Sequence, residues 1–127
     1  MSTPSPKVKT LAEGIAIAEG FSVAGSLPSR IHNPGDLEIG DRGYGTENGK
    51  TKFPNDTTGW QWLFGECSLM LASMKTRHRS KIYTLDETFA DVAQHWTGGD
   101  NPGPWAITVS EHCGMQPENT LQEYLDK

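Results

Sequence analysis

The sequence predicts a mostly helical α+β domain, its helices packed around one central buried helix, with a small β-hairpin after the first helix. Three observations carry this. Thr-x-x-Glu or Thr-x-x-Gln capping boxes at Thr10, Thr58, Thr84 and Thr120 each stand at the start of an apolar run at helical spacing. Asn33-Pro34-Gly35 is a turn signal opening the alternating stretch Leu37-Glu38-Ile39, which reads as a short strand. Glycine and proline concentrate between residues 20 and 59, so the middle of the chain is rich in loops. With 127 residues there is room for one real core and not for a second.

Residues 1–9 carry Ser, Thr, Pro and Lys without periodicity and read as a loose tail ahead of a single domain over 10–127. The box at Thr10 opens a first helix over about 11–19, which Gly20 can end in the left-handed conformation. Wound at about 100° per residue, Leu11, Ala12, Ile15, Ala16 and Ala18 share a broad apolar arc. Glu19 falls near the middle of that arc, and Glu13 falls on the wet side. A loop then runs to Arg30. Pro34 and Gly35 suit a type II turn, and Thr51-Lys52-Phe53 can pair back on Leu37–Ile39.

The box Thr58/Gln61 opens a second helix with Trp60, Leu63, Phe64, Cys67, Met70, Leu71 and Met74 in one stripe, which reads as the central buried helix. Lys75 to Arg79 would close its C-terminus, where positive charge suits the helix dipole. Thr84/Glu87 opens a third helix, with Leu85, Phe89, Val92, Ala93 and Trp96 on its apolar face and Gly98-Gly99 at its end. A fourth follows over about 104–113, burying Trp105, Ile107, Val109 and Cys113. Thr120/Glu123 caps a last short helix that buries Leu121, Tyr124 and Leu125.

Charge narrows the function. The net charge is −5 and no long basic run occurs, so a nucleic-acid partner is not expected. No apolar run is long enough to span a membrane, and the N-terminus lacks a secretory signal pattern, so cytoplasmic synthesis is the expectation. Cys67 and Cys113 read as buried free thiols, although a disulfide cannot be decided from sequence. The four histidines are scattered, so no metal site and no cofactor are expected.

The candidate chemistry lies at Glu19. A carboxylate on the core-facing edge of a helix end is desolvated, which raises its pKa and keeps it protonated near neutrality. That is the state a general acid needs. The same Glu can instead bend outward or pair with an arginine such as Arg30.

The run Ile15-Ala16-x-Ala18-Glu19-Gly20-Phe21 followed by Asn33-Pro34-Gly35-Asp36-Leu37 resembles phage-type lytic transglycosylase and lysozyme-like domains. Phe53 with Thr58-Gly59, Tyr83-Thr84 with Thr88, and Asp100-Asn101-Pro102 with Trp105 resemble later landmarks of that family, so the likeness spans about residues 11–125. His32 stands where the family often carries a second Asn, and the Gly-Leu-Met-Gln landmark of larger bacterial transglycosylases is missing. The resemblance implies a lysozyme-like fold, a monomer, and cleavage of the β-1,4 bond between N-acetylmuramic acid and N-acetylglucosamine in peptidoglycan. Glu19 would be the general acid, then the base that closes a 1,6-anhydro ring. An inverting hydrolase would need a base about 6.5–9.5 Å away, and a retaining one a nucleophile at about 5–5.5 Å. Asp36 is the first candidate for either role, with Glu38 and Asp100 behind it, although Asp36 can equally cap its own turn.

Asn33, Tyr44, Gln61, Tyr83 and Asn101 are the candidate sugar-binding groups. Each has a structural alternative: turn former for Asn33, capping partner for Gln61, N-cap for Asn101, and core edge for the tyrosines. Trp62 lies off the helical stripe and reads as exposed or groove-lining, while Trp60 and Trp105 read as core. Two other classes remain open: a catalytically silent phage structural or wall-binding module on the same frame, and a small inhibitor or adaptor without a sugar site.

Overall fold

The computed structural model describes residues 3–127. It is mostly helical, with six α-helices and one two-stranded antiparallel sheet among the described residues. Helix α1 spans Pro6–Ala18, starting four residues before the Thr10 box. Ser5 caps it by accepting from the Val8 N–H at 3.3 Å, and Pro6 sits at the first helical position, where its fixed φ suits the turn. The tail expected over 1–9 is therefore helical from Pro6, and residues 1 and 2 lie outside the described residues. Tertiary contact favours the earlier start: Val8 is buried, and the Tyr124 hydroxyl donates to the Lys7 carbonyl at 2.6 Å.

The end of α1 follows the sequence signal. Gly20 takes φ +80, its N–H donates to the Ile17 carbonyl, and the Phe21 N–H donates to the Ala16 carbonyl. These are the two bonds of a Schellman motif. A short helix α2, Leu27–Arg30, capped by Ser26, occupies part of the stretch expected to be loop.

The Asn33–Asp36 turn closes with the Asp36 N–H donating to the Asn33 carbonyl at 3.0 Å. It is not type II, because Asp36, not Gly35, takes the left-handed conformation, at φ +53. Gly35 serves another need: a Cβ there would lie 2.7 Å from the Leu63 side chain. Gly59 answers a similar demand, since a Cβ on it would collide with the His32 carbonyl oxygen. The expected strand Leu37–Ile39 is extended chain without a regular ladder, tied to Thr51 through the Thr51 N–H to Leu37 O bond and the Ile39 N–H to Thr51 Oγ1 bond. The hairpin proper pairs β1, Thr46–Glu47, with β2, Lys50–Thr51. Asn48 and Gly49 turn it with positive φ at both positions, as a primed hairpin turn requires.

Helix α3, Asp56–Leu71, is capped by Asn55 rather than Thr58. Leu63, Cys67 and Met70 are buried, whereas Met74 lies beyond the helix end and is 57% exposed. Thr57, Gln61, Gly65 and Ser68 leave the opposite face of α3 exposed, so it is not the central helix. Helix α1 packs on both α3 and α5, Pro102–His112, and α5 packs in turn on α4, Phe89–Trp96. Ile107, expected inside, is exposed on α5.

Lys75 to Arg79 does not end a helix. Lys75 bridges Ile82, and a single 3-10 turn over His78–Ser80 folds His78 into the core. Thr84 and Glu87 close a turn, and α4 begins later, where Thr88 and Asp91 form the capping box. Helix α6, Leu121–Asp126, begins at the expected Thr120/Glu123 box. Cys67 and Cys113 are buried and unpaired. No helix among the described residues is long and apolar enough to cross a membrane.

Candidate active site

Four elements converge on a cleft of about 280 Å³. The last turn of α1 supplies Glu19, the Asn33 turn supplies Asp36, β2 supplies Lys50 and the 3-10 turn supplies Arg79. The ends of α4 and α5 close it with Trp96, Asn101 and Trp105. Glu19 is the C-cap residue of α1, so its place is set by the helix phase, as the sequence predicts. Its Oε2 accepts a 2.9 Å hydrogen bond from the Trp105 indole N–H.

Burial pushes the Glu19 carboxyl from its ordinary 4.5 up to about 7. The Trp105 hydrogen bond opposes the rise, the negative charge of Asp36 adds to it, and Lys50 and Arg79 temper it. A carboxyl poised there is divided between acid and base forms at neutral pH, so it can both give and take a proton.

Asp36 is held differently. Burial raises its pKa, and the Lys50 ammonium, 3.3 Å from Oδ2, opposes the rise. Its Oδ1 is buried without a hydrogen-bond partner. Lys50 also approaches Glu38 Oε1 at 3.3 Å, and Arg79 pairs with Glu38 Oε2 at 2.9 Å. Two cations and three carboxyl groups, Glu19 included, thus share one charge network at the cleft.

Behind the cleft lies a buried polar scaffold. The Asn33 amide nitrogen donates to the Leu37 and Thr51 carbonyls at 3.0 and 2.9 Å, and its oxygen accepts from the Leu37 N–H at 2.8 Å. His78 is 1% exposed. Its Nδ1 accepts from the Glu38 N–H at 2.9 Å and its Nε2 donates to the Trp96 carbonyl at 3.1 Å, so the two backbone partners fix the tautomer. Burial lowers its pKa to about 4, which keeps it neutral. Glu66 accepts from the His78 N–H at 2.5 Å, and the Trp96 indole donates to the Gly35 carbonyl at 3.3 Å.

Of the residues nominated from sequence, Glu19, Asp36 and Asn101 line the cleft, and Asp100 lines it too. The other four do not. Asn33 is wholly buried with its amide spent on main-chain groups, because it staples the turn to β2. Tyr83 is fully buried against α4, its ring edge-on to His95, and its hydroxyl has no partner. Gln61 stands on the exposed face of α3, beside a separate groove lined by Trp60 and Phe64. Tyr44 is exposed in the loop before β1 and does not line the cleft. Trp62 is half-buried, between Phe53 and two arginines.

Sequence reasoning missed Trp105, Lys50 and Arg79. Trp105 is core, as expected, yet its N–H reaches Glu19 across 86 positions of chain. A buried Trp must place its N–H somewhere, and that requirement was the available signal. No group of three or more His, Cys, Asp or Glu among the described residues is placed to hold a metal ion.

No family model matches the chain, and neither a curated protein nor a solved structure does.

Proposed function

We propose that the protein is a muramidase of lysozyme-like fold that cleaves the glycan of peptidoglycan, acting as a lytic transglycosylase with Glu19 as its one acid/base group. One observation carries the reading: a carboxyl at the end of α1, raised by burial to about 7, faces a cleft of polar groups. Glu19 would protonate the glycosidic oxygen as its bond to C1 of the muramoyl ring breaks and positive charge develops on that ring. The resulting carboxylate would then take the proton of the muramoyl 6-hydroxyl while that oxygen closes the 1,6-anhydro ring. Trp105 would hold the carboxyl in one orientation throughout, and no water or second carboxylate takes part.

A second reading, hydrolysis, is favoured by one feature. Asp36 lines the same cleft as Glu19, and its charge acts on the Glu19 carboxyl. One of its oxygens is tied to Lys50, which fits an anion that steadies positive charge better than a free base. Digestion of purified peptidoglycan followed by mass analysis tests both readings. Anhydro-muropeptides support the transglycosylase, reducing ends support the hydrolase, and no release by the folded protein sinks both in favour of a silent wall-binding module.

A further inference from the structure

Arg42, Lys75 and Arg77 border a surface depression of about 520 Å³, together with Glu38, Ile39 and Thr76. No carboxylate among the described residues pairs with these three cations. Four other cations are neutralised: Arg30 by Glu47, Lys50 by Asp36 and Glu38, Arg79 by Glu38, and Lys81 by Glu87. Three uncompensated cations on one face of a chain with net charge −5 form a local attraction for an anion.

Two of the three are also held in place. The Arg42 guanidinium lies 4.8 Å from the Trp62 ring centre and that of Arg77 lies 5.5 Å from it. Trp62 itself stacks on Phe53 at 6.3 Å. Arg42 Nε donates to the Ile39 carbonyl at 3.1 Å, which leaves its terminal nitrogens to grip a carboxylate. Side chains ordered beforehand lose less entropy when they bind. Three nearby acids are committed elsewhere: Glu38 to Lys50 and Arg79, Glu66 to the His78 N–H, and Asp41 to the Gly43 and Gly45 N–H groups.

Glu38 also fixes where the depression lies. It lines the depression, and its carboxylate bonds to Lys50 and Arg79, both of which line the Glu19 cleft. The two concavities are thus linked through Glu38 and its two cationic partners. A polymer seated in the cleft and carrying acidic branches would lay a branch there.

We propose that Arg42, Arg77 and Lys75 bind the carboxylates of the peptides that branch from peptidoglycan, adding affinity for peptide-bearing over bare glycan. The proposal rests on the muramidase reading, and its test can be read apart from it. A free stem peptide carrying γ-linked D-glutamate and diaminopimelate is titrated calorimetrically into wild type and into the double variant Arg42→Gln, Arg77→Gln. Cleavage of glycan stripped of its peptides is followed in parallel. The expected result is at least ten-fold weaker peptide binding by the double variant, with unchanged cleavage of stripped glycan. Lys75→Gln, at an exposed position, should weaken binding about three-fold and guards against a double variant that fails to fold. Equal affinity in variants and wild type, no binding by wild type, or tighter binding of a glycerol phosphate polymer than of the peptide would each overturn the proposal. Failure of the muramidase reading has its own signature, the absence of wild-type cleavage of stripped and of peptide-bearing glycan alike.

Discussion

The cleft and the scaffold behind it use similar residue types in opposite ways. In the scaffold, Asn33, Glu66 and His78 direct polar atoms to main-chain groups, within the turn and across to other segments. In the cleft, Glu19 and Asp36 have side-chain partners, Trp105 and Lys50, and one Asp36 oxygen has none. Glu66 Oε2 is the exception, a scaffold atom buried without a partner. Main-chain partners arrive with the fold, so groups bonded to them hold its shape. Carboxyls desolvated beside a cleft, with few hydrogen bonds to their charged form, carry raised pKa values.

The sharpest break between the two regions should come from Glu19→Gln. Gln keeps the volume and can still accept from Trp105, so the fold stands while release of muropeptides falls by about 10²–10⁴-fold, the range of a general acid. Undiminished lysis by the folded variant would remove Glu19 from the mechanism.

Asn33→Ala should do the reverse, acting on stability first. It leaves the Leu37 N–H and the Leu37 and Thr51 carbonyls short of a partner, at a cost of about 2–4 kcal/mol in urea unfolding. A loss below about 1 kcal/mol would mean that the turn is held by something else.

The pH dependence of stability separates the regions by sign. His78, lowered from 6.5 to about 4, contributes stability that is present above pH 6.5 and lost as pH falls toward 4. Glu19, raised from 4.5 to about 7, contributes in the opposite sense: its protonated native form is favoured below pH 4.5, and that advantage is lost as pH rises to 7. Glu19→Gln removes only the second effect, so its gain over wild type should grow between pH 4.5 and 7, to at most about 3 kcal/mol. A gain that is flat across that window would contradict the buried, raised carboxyl.

Asp36→Asn should slow a transglycosylase by less than about ten-fold, since Asn tolerates the left-handed φ of the turn. A thousand-fold loss in a folded variant would favour the hydrolase. The smallest expected effect belongs to Trp105→Phe. It removes a bond that favours ionised Glu19, so the basic limb of the activity profile should move up by about one pH unit or less. A downward move would show that the indole does not stabilise the anion.

The sequence by itself determined what depends on one or two helical turns. Glu19 lies at the end of α1 because apolar period and Gly20 set that end locally, and the Thr120/Glu123 box caps α6 because both partners sit within one turn. The tertiary structure decided between rival local signals. Ser5, Asn55 and Thr88 are the caps in place of Thr10, Thr58 and Thr84, each a few residues from the start that the boxes predict. In α1 the choice follows from burying Val8 and from the Lys7–Tyr124 contacts, which join opposite ends of the chain. The sequence leaves Asn33 open between sugar binding and the turn, and Tyr83 between sugar binding and the core edge; both lie inside the fold, where only the packing of distant segments shows what covers them. The Trp105–Glu19 bond, the burial of His78 and the packing of α5 on α1 likewise depend on segments far apart in the chain. Periodicity reports the face a residue lies on, whereas its partner is set by how the faces pack.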